Sequence, residues 1–503
     1  GKLNAVNGKA IGGQAVVEET QVVIEAGKKE EESQSLKAES TLKTHFKILT
    51  VDGKLVDPEE FDYSKHQGLK KFADYEIKKV RAYSQEPPHI KLMREHKLVS
   101  YEPASDSGHF RWLPKGLVIK KTLEKKVSDW MIDYGALQVE TPIMYDYAHP
   151  ALKKYLHRFP ARQYTVESDE KKLFLRFSAC FGQFLAVHDA QVSYKQLPLK
   201  VYELTHYSFR REQSGELAGL KRLRAFTMPD MHTVCADLSA ALDEFESQYN
   251  LCVKWNKELG IEFETAFRAQ EDFFEENKDF YLRMVKKVGK PMLIELFNQR
   301  YAYFITKFEM NFVDNAEKAS GLSTVQIDVE NCETFDMSYV DEGGKKQRPV
   351  VLHASIPGAV ERVLYALLER EAGKIAVGKT PSFPTWLSPT QVRLIPLSDE
   401  QNKDCERVLK QLMDAGIRAD FDDRVESMGK KIRNAELEWV PHIAVIGPRE
   451  VKEGKLSVRE RESGKQHEIE LETLIKKINE EIKDNPREKL ALPTHLTKRP
   501  VLN

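Results

Sequence analysis

Two extended runs joined by a glycine-containing loop constrain the fold of this chain more than any other feature. Residues 201–210 (VYELTHYSFR) alternate in polarity and are rich in β-branched and aromatic side chains, which is typical of a β-strand. A polar segment with two glycines follows and predicts a loop. Residues 224–234 (RAFTMPDMHTV) then resume an extended pattern that Pro229 interrupts. The sequence therefore predicts two antiparallel strands.

The charges on these strands are of the kind that bind phosphates. An antiparallel pairing would bring five of them into one neighbourhood: Arg210, Arg211, Glu212, Arg222 and Arg224. Arginine suits phosphate oxygens because its guanidinium presents a planar fork of hydrogen-bond donors. A solvated, charged hairpin is the alternative interpretation, since 31% of the chain is charged.

The same stretch resembles a known motif. Residues 209–212 (FRRE) resemble the Phe-Arg-any-Glu signature of motif 2 in class II aminoacyl-tRNA synthetases, and residues 212–232 are similar to the threonyl-tRNA synthetase family in that class. The resemblance implies four contacts to ATP: Arg210 to the α-phosphate, Glu212 to the adenine end, Arg222 to the γ-phosphate and Phe226 stacked on adenine.

Two further stretches resemble motifs 1 and 3 of the class. Residues 116–144 predict a long helix that ends at Gly135 and a strand that contains Pro142. They resemble motif 1, which implies a homodimer, although helix–strand pairs are common. Residues 350–372 predict a strand, a turn at Gly358 and a helix, and they resemble motif 3, which implies that Arg362 binds the γ-phosphate and takes part in catalysis with Arg210. An exposed surface arginine is the competing interpretation of Arg362.

Three dispersed residues are candidate metal ligands: Cys180, His232 and His353. Each lies at the end of a predicted strand or at a strand–helix junction, whereas local zinc spacings such as HExxH or CxxC are absent from the sequence. Isolated Cys and His residues usually belong to the core or the surface. The resemblance implies instead that these three hold one Zn²⁺ per subunit.

The resemblance also implies how the amino acid is bound. It places Asp230 and Gln326 beside the amino acid together with the three metal ligands, and it gives Gln326 a role in ATP binding and catalysis. Met228 stands where bacterial members of the family have glutamine. An open position on zinc would select threonine over valine, because an apolar pocket alone separates such isosteres by only about a hundredfold.

The organisation of the chain predicts a multidomain α+β and α/β protein. An antiparallel-sheet class II catalytic domain with helices would precede a mixed-sheet α/β domain, since strands and helices alternate after the Pro- and Ser-rich residues 378–391. Residues 236–300 look helical throughout. The expected domains are an N-terminal segment (1–65), the catalytic domain (66–385, with motif 1 at 116–144, motif 2 at 201–232 and motif 3 at 350–372), an anticodon-binding domain (386–490) and a tail (491–503).

The last domain and the N-terminal segment carry two further expectations. Arg459 and Arg461 lie two apart on one strand, so they share a face, and the resemblance implies that this face contacts the tRNA anticodon. Ordinary exposed arginines are the alternative. Residues 1–65 barely suffice for an editing domain, so we expect no working editing site. Either a separate protein clears seryl-tRNA, or the editing region precedes the residues given.

Composition bounds the environment of the protein. The net charge is −1, so RNA binding has to depend on local basic patches. The five cysteines are dispersed, which favours a reducing compartment, and neither a membrane-spanning apolar run nor a secretory signal is evident. We expect a cytoplasmic protein without a membrane partner.

The resemblance thus implies a threonine–tRNA ligase whose partners are threonine, ATP with Mg²⁺, and tRNA(Thr). The reaction would form threonyl-adenylate and then transfer the threonyl group to the tRNA. Two alternatives stay open. Another class IIa synthetase shares the three motifs, and a non-catalytic paralogue that binds tRNA or regulates shares the fold.

Overall fold

The computed structural model describes residues 42–79, 86–156, 163–212, 214–300 and 302–502. The expectations for residues 1–41 lie outside these ranges. Within them, every helix is too short or too polar to cross a lipid bilayer.

The strands up to residue 355 form one large sheet and several small ones. They are β1 (Thr44–Leu49), β2 (Leu55–Val56), β3 (Val99–Tyr101), β4 (Phe110–Trp112), β5 (Leu137–Gln138), β6 (Met144–Asp146), β7 (Tyr164–Ser168), β8 (Lys171–Leu175), β9 (Leu199–Phe209), β10 (Ala225–Cys235), β11 (Glu264–Gln270), β12 (Met292–Phe297), β13 (Phe304–Val313), β14 (Ala319–Asp328), β15 (Tyr339–Val340), β16 (Lys346–Gln347) and β17 (Val350–Ser355). The large sheet has ten strands in the order β2-β1-β12-β11-β13-β14-β17-β10-β9-β5.

The helices of this region cover the sheet and its edges. They are α1 (Gln67–Lys78), α2 (Pro88–Glu95), α3 (Pro114–Asp133), α4 (Pro150–Leu156), α5 (Cys180–Asp189), α6 (Leu238–Glu258), α7 (Glu271–Glu276), α8 (Lys278–Val288), α9 (Asn331–Thr334) and α10 (Val360–Ala376). Asp237 caps the N-terminus of α6: its side chain accepts a hydrogen bond from the backbone N–H of Ala240 at 2.9 Å. The apolar face of α6 belongs to the main hydrophobic core.

The central strands of the sheet carry the residues on which the site depends. Strands β9 and β10 pair antiparallel, as the sequence predicts, with an irregularity at Thr227. Strand β17 lies between β10 and β14, and its His353 stands opposite His232 on one side and Gln326 on the other. Directly opposite residues in antiparallel strands share a face of the sheet. Gln326, His353 and His232 therefore form a row across three strands.

The helical interpretation of residues 236–300 is wrong in two places. Residues 264–270 and 292–297 are strands β11 and β12, which pair parallel to each other. Most of β12 (MLIELF) is buried, and a short apolar run of this kind has no periodicity that distinguishes a buried strand from a buried helix. Strand β1 pairs antiparallel with β12, so residues 44–49 extend the large sheet although the sequence assigned them to the N-terminal segment.

The last part of the chain forms a second sheet. Its strands are β18 (Val392–Pro396), β19 (Ala419–Phe421), β20 (His442–Ile446), β21 (Lys455–Glu460) and β22 (Gln466–Glu470), in the order β19-β18-β20-β21-β22. Its helices are α11 (Asn402–Asp414), α12 (Met428–Leu437), α13 (Pro448–Glu453) and α14 (Leu471–Ile482). Strand β18 is parallel to both neighbours and β21 is antiparallel to both of its own, so this sheet is mixed, as predicted.

Candidate active site

A cavity of about 470 Å³ lies over the central strands of the large sheet. It is lined by eight of the side chains singled out from the sequence: Cys180, Arg210, Phe226, Asp230, His232, Gln326, His353 and Arg362. These residues come from strands β10, β14 and β17, from the position directly after β9 and from the first turns of α5 and α10. The fold therefore brings side chains that are up to 182 positions apart (180 to 362) to one cavity.

Three of these side chains form a compact group of metal-ligand type. Cys180 Sγ lies 3.2 Å from His232 Nε2 and 3.5 Å from His353 Nδ1, and the two histidine nitrogens are 3.0 Å apart. All three residues are buried. Cys180 is the first residue of α5, so the helix begins at the cavity, while the histidines come from adjacent strands in register.

The surroundings of the two histidines fit a cation between them. The His232 Nδ1–H donates to Gln183 Oε1 at 2.7 Å, and the His353 Nε2–H donates to Asp328 Oδ2 at 2.7 Å. Both rings therefore turn their second nitrogen toward Cys180 and toward each other, an arrangement that a shared cation stabilises. Burial lowers the pKa of His232 well below its usual value, which favours the neutral form that binds metal. Although burial opposes it, Cys180 and Asp328 raise the pKa of His353 to about 10, so a bound cation would have to displace a proton from this ring. One sulfur and two nitrogen ligands suit Zn²⁺.

Two polar side chains flank this group. Burial raises the pKa of Asp230 to about 7, and its Oδ2 accepts a hydrogen bond of 3.4 Å from the backbone N–H of Ala179. Gln326 Oε1 accepts a hydrogen bond of 2.8 Å from the hydroxyl of Tyr303. The Tyr303 ring also packs against the His353 ring at a centroid distance of 5.0 Å. Tyr303 thus ties Gln326 to the metal-ligand group.

The motif 2 charges form a chain beside the cavity. Arg210 lines the cavity, and its Nε lies 3.1 Å from Glu212 Oε1. The other carboxylate oxygen of Glu212 accepts from Arg222 Nε and Nη2 at 3.0 and 2.9 Å, and Arg222 Nη2 also lies 3.0 Å from Glu216. Glu212 and Arg222 therefore lie next to Arg210, but they are not among the described residues that line the cavity.

Arg362 is held by backbone rather than by carboxylates. Its Nε donates to the carbonyl of Lys221 at 2.9 Å and its Nη1 to the carbonyl of Gly321 at 3.2 Å, and burial lowers its pKa. The turn before α10 lies very close to β14. Gly358 has φ +73°, and a Cβ there would lie 2.3 Å from the carbonyl oxygen of Leu322. Only glycine fits this position without a backbone shift.

The sequence interpretation missed much of the cavity lining, including the polar residues Tyr303, Lys307 and Glu309. Lys307 Nζ lies 2.9 Å from Glu309 Oε1. Although burial opposes it, the charges of Lys307 and Arg268 lower the pKa of Glu309 to about 2. The two residues are two positions apart on β13, so the side-chain period of a strand could have placed both on one face.

Of the two candidate anticodon residues, Arg459 lies in strand β21, whereas Arg461 lies after the end of that strand, so the prediction that both share one face of a strand is wrong. Arg459 is about half exposed, and its Nη2 lies 3.0 Å from Glu436 Oε1. Arg461 follows the end of β21 and donates to the backbone carbonyls of Pro381 and Glu436, both at 2.6 Å. Arg461 therefore joins the second sheet to the segment that precedes it.

Comparisons with known proteins cover both parts of the chain. The class II tRNA synthetase core domain family (G, H, P, S and T) matches residues 164–371, and the anticodon binding domain family matches residues 391–481. A threonine–tRNA ligase of Pyrococcus horikoshii is 53% identical over 493 residues, which is 97% of this chain and 79% of that protein. A threonine–tRNA ligase of Methanosarcina barkeri is 51% identical over 487 residues, 95% of this chain and 76% of that protein.

A solved structure supports the fold. The crystal structure described as the RNA binding domain of threonyl-tRNA synthetase from Cryptosporidium parvum Iowa II matches with a TM-score of 0.69 and 23% identity, over 78% of this chain and 98% of that one. At this identity the likeness concerns the fold alone. The identity to the archaeal relatives, the two family matches and the fold together show that the chain belongs to the threonine–tRNA ligase family of class II aminoacyl-tRNA synthetases, a family of aminoacyl-tRNA ligases.

Proposed function

We propose that this chain activates threonine with ATP, forms threonyl-adenylate with release of pyrophosphate, and transfers the threonyl group to tRNA(Thr) with release of AMP. The observation that carries the proposal is the common cavity, in which a Cys–His–His group lies beside the arginines of motifs 2 and 3. The relatives' printed names support the choice of threonine. The Cys–His–His group gives a physical reason for this choice, because an amino acid with a hydroxyl can offer two groups to a bound metal: its amino group and its hydroxyl.

Cys180, His232 and His353 would hold the zinc. When bound, Zn²⁺ would offer open coordination to the amino and hydroxyl groups of threonine, which valine cannot fill because it lacks the hydroxyl. Asp230, in its charged form, would accept hydrogen bonds from the amino group, and Tyr303 would keep the Gln326 amide oriented toward the amino acid. Burial of these groups excludes water, which strengthens each contact.

The arginines would position ATP for attack by the threonine carboxylate on the α-phosphate. Arg210 and Arg362 line the cavity and would contact the α-phosphate and the γ-phosphate, respectively. Arg222, which lies outside that lining, would reach the γ-phosphate from the motif 2 loop. Positive charge from these arginines lowers the barrier to the attack, because their hydrogen-bond donors are oriented before the reaction begins. Phe226 would stack on adenine, and Glu212 would contact the adenine end while holding both motif 2 arginines. Mg²⁺ would accompany ATP and would offset part of the phosphate charge.

We propose that Arg459 contributes to tRNA binding and that Arg461 supports the structure around it. Arg459→Ala should raise the KM for tRNA(Thr) by about fivefold, because an exposed contact to nucleic acid contributes roughly 1 kcal/mol. Threonine-dependent ATP–pyrophosphate exchange should stay unchanged, since it needs no tRNA. An unchanged KM for tRNA in aminoacylation assays would remove Arg459 from the tRNA surface.

A homodimer is proposed from the motif 1 region. Four large apolar side chains there are more than 40% exposed: Ile132, Leu137, Ile143 and Met144. A cluster of exposed apolar side chains is typical of a surface that another chain covers. Sedimentation velocity should give about twice the 57.9 kDa chain mass, and a single species at the chain mass would contradict the dimer.

The remaining expectations concern location and editing. A cytoplasmic location and the clearance of seryl-tRNA by a separate protein both remain proposals. Serine retains the hydroxyl and is smaller than threonine, so a hydroxyl-reading site accepts it. A measurable rate of seryl-tRNA formation by the purified chain would support the need for such a partner.

Amino-acid-dependent ATP–pyrophosphate exchange tests the proposal. Threonine, proline, histidine and glycine are compared in parallel at equal concentration, and threonine is expected to give the fastest exchange. Faster exchange with one of the other three would assign the chain to that specificity. Exchange with none of the four would favour a non-catalytic protein that binds tRNA or regulates.

A further inference from the structure

A buried lysine in the loop between β9 and β10 has a buried counter-charge on a distant turn. The Lys221 side chain is only 9% exposed, and its Nζ lies 3.0 Å from Asp314 Oδ2 in the turn between β13 and β14. The ammonium also lies 5.9 Å from the ring centre of Tyr75 and 5.7 Å from that of Tyr365. A charge buried this deeply requires an opposite charge, and Asp314 supplies it.

Asp314 is itself held from two sides. Its Oδ1 accepts hydrogen bonds from the backbone N–H groups of Ala316 and Lys318 at 3.0 and 2.8 Å, which fixes it within its turn. Its Oδ2 also accepts from the hydroxyl of Tyr365 at 3.0 Å. Tyr365 lies on α10, three residues after Arg362 and so about one helical turn away. Asp314 therefore ties the motif 2 loop to the motif 3 helix.

The backbone of Lys221 completes the link. Its carbonyl accepts the 2.9 Å hydrogen bond from Arg362 Nε, and the carbonyl of Gly321 accepts the second bond from the same guanidinium. The direction of the Arg362 guanidinium therefore depends on where the Lys221 carbonyl lies. Lys221 also immediately precedes Arg222, which contacts Glu212. One anchored residue thus lies between the two arginines assigned to the γ-phosphate.

We propose that the Lys221–Asp314 ion pair is a positioning pair for ATP recognition. It anchors the loop whose carbonyl orients Arg362, and neither member is assigned to touch substrate. The inference rests on the proposed function, because it takes Arg362 as a phosphate ligand. The pair predicts a selective effect on ATP, whereas a purely structural pair would affect folding stability and both substrates together.

The test uses Lys221→Met and Asp314→Asn in the full chain. Exchange is measured with ATP varied at saturating threonine and then with threonine varied at saturating ATP, and thermal unfolding is followed in parallel. We expect the KM for ATP to rise about tenfold and the KM for threonine to change less than about twofold. The matched control is Lys410→Met, which removes the lysine of an exposed Lys–Asp pair on α11 and should leave both values unchanged.

A double-mutant cycle tests whether the effect runs through Arg362. Arg362→Lys removes the Nε–H that donates to the Lys221 carbonyl. In that background Lys221→Met should therefore change the KM for ATP by less than about twofold. A full tenfold effect in the Arg362→Lys background would overturn the proposal. So would an unchanged KM for ATP in both single variants, or equal increases in the two KM values with a lowered unfolding temperature.

Failure of the proposed function gives a different result. If the wild-type chain shows no threonine-dependent exchange, that function fails, and calorimetric titration with ATP then tests the positioning pair alone. Binding of ATP about tenfold weaker in Lys221→Met than in the wild type would support the pair. Equal binding would overturn it.

Discussion

Cys180→Ser is expected to abolish zinc binding and to lower threonine-dependent exchange by about a thousandfold. The serine hydroxyl is a poor zinc ligand at neutral pH, so the site would keep only two neutral imidazoles. Threonine would lose two polar contacts of roughly 2 kcal/mol each, and about 1.4 kcal/mol corresponds to a tenfold change. Metal analysis of the purified variant should give less than about 0.1 zinc per chain, against about one in the wild type.

The control for this variant is Cys405→Ala. Cys405 is also buried. It lies on helix α11, in the part of the chain that forms the second sheet, and it is far in sequence from the metal-ligand group. It should retain zinc and exchange activity, and circular dichroism of both variants should match that of the wild type. An unchanged exchange rate in zinc-free Cys180→Ser protein would remove the metal from substrate binding.

Arg210→Ala is expected to slow exchange by about a hundredfold to a thousandfold. Removal of one donor aimed at charge that develops in the transition state typically has this effect. Arg210 is also about half exposed, so its loss should leave the unfolding temperature nearly unchanged. Arg407→Ala, on the exposed surface of α11, is the matched control and should behave like the wild type.

The kinetic parameter that changes in the Arg210 variant indicates whether Arg210 acts on the reacting phosphate. The loss should appear mainly in kcat for exchange, because the α-phosphate gains charge only as the carboxylate attacks. An exchange rate within about threefold of the wild type would mean that Arg210 does not contact the reacting phosphate. The contacts of the Glu212 carboxylate with Arg210 and Arg222 would then need an explanation other than the positioning of Arg210 at the phosphate.

Strands whose side chains alternate in polarity could be predicted from the sequence, whereas strands without that alternation could not. Strands β9 and β10 were predicted from their extended, partly alternating pattern, as was the mixed sheet at the end of the chain. Strands β11 and β12 were read as helix. The run Met292–Phe297 is almost continuously buried and therefore lacks the alternation that marks a half-exposed strand.

The site was accessible from sequence only through the resemblance. Cys180, His232 and His353 are so dispersed that no spacing rule connects them, and their proximity follows from the register of β10 with β17. The Lys221–Asp314 pair could not be predicted either, because its members are 93 residues apart and a buried ion pair leaves no local signal. Tyr303 lies just before β13, in a segment whose residues the alternation could have placed near the cavity.

The most direct test of this account compares threonine, valine and serine in exchange with the zinc-loaded protein. The account predicts a kcat/KM for threonine more than about a thousandfold above that for valine, which exceeds the roughly hundredfold discrimination of an apolar pocket. Serine should fall between the two because it retains the hydroxyl. Discrimination against valine of about a hundredfold or less, unchanged when zinc is removed, would contradict the proposed role of Cys180, His232 and His353.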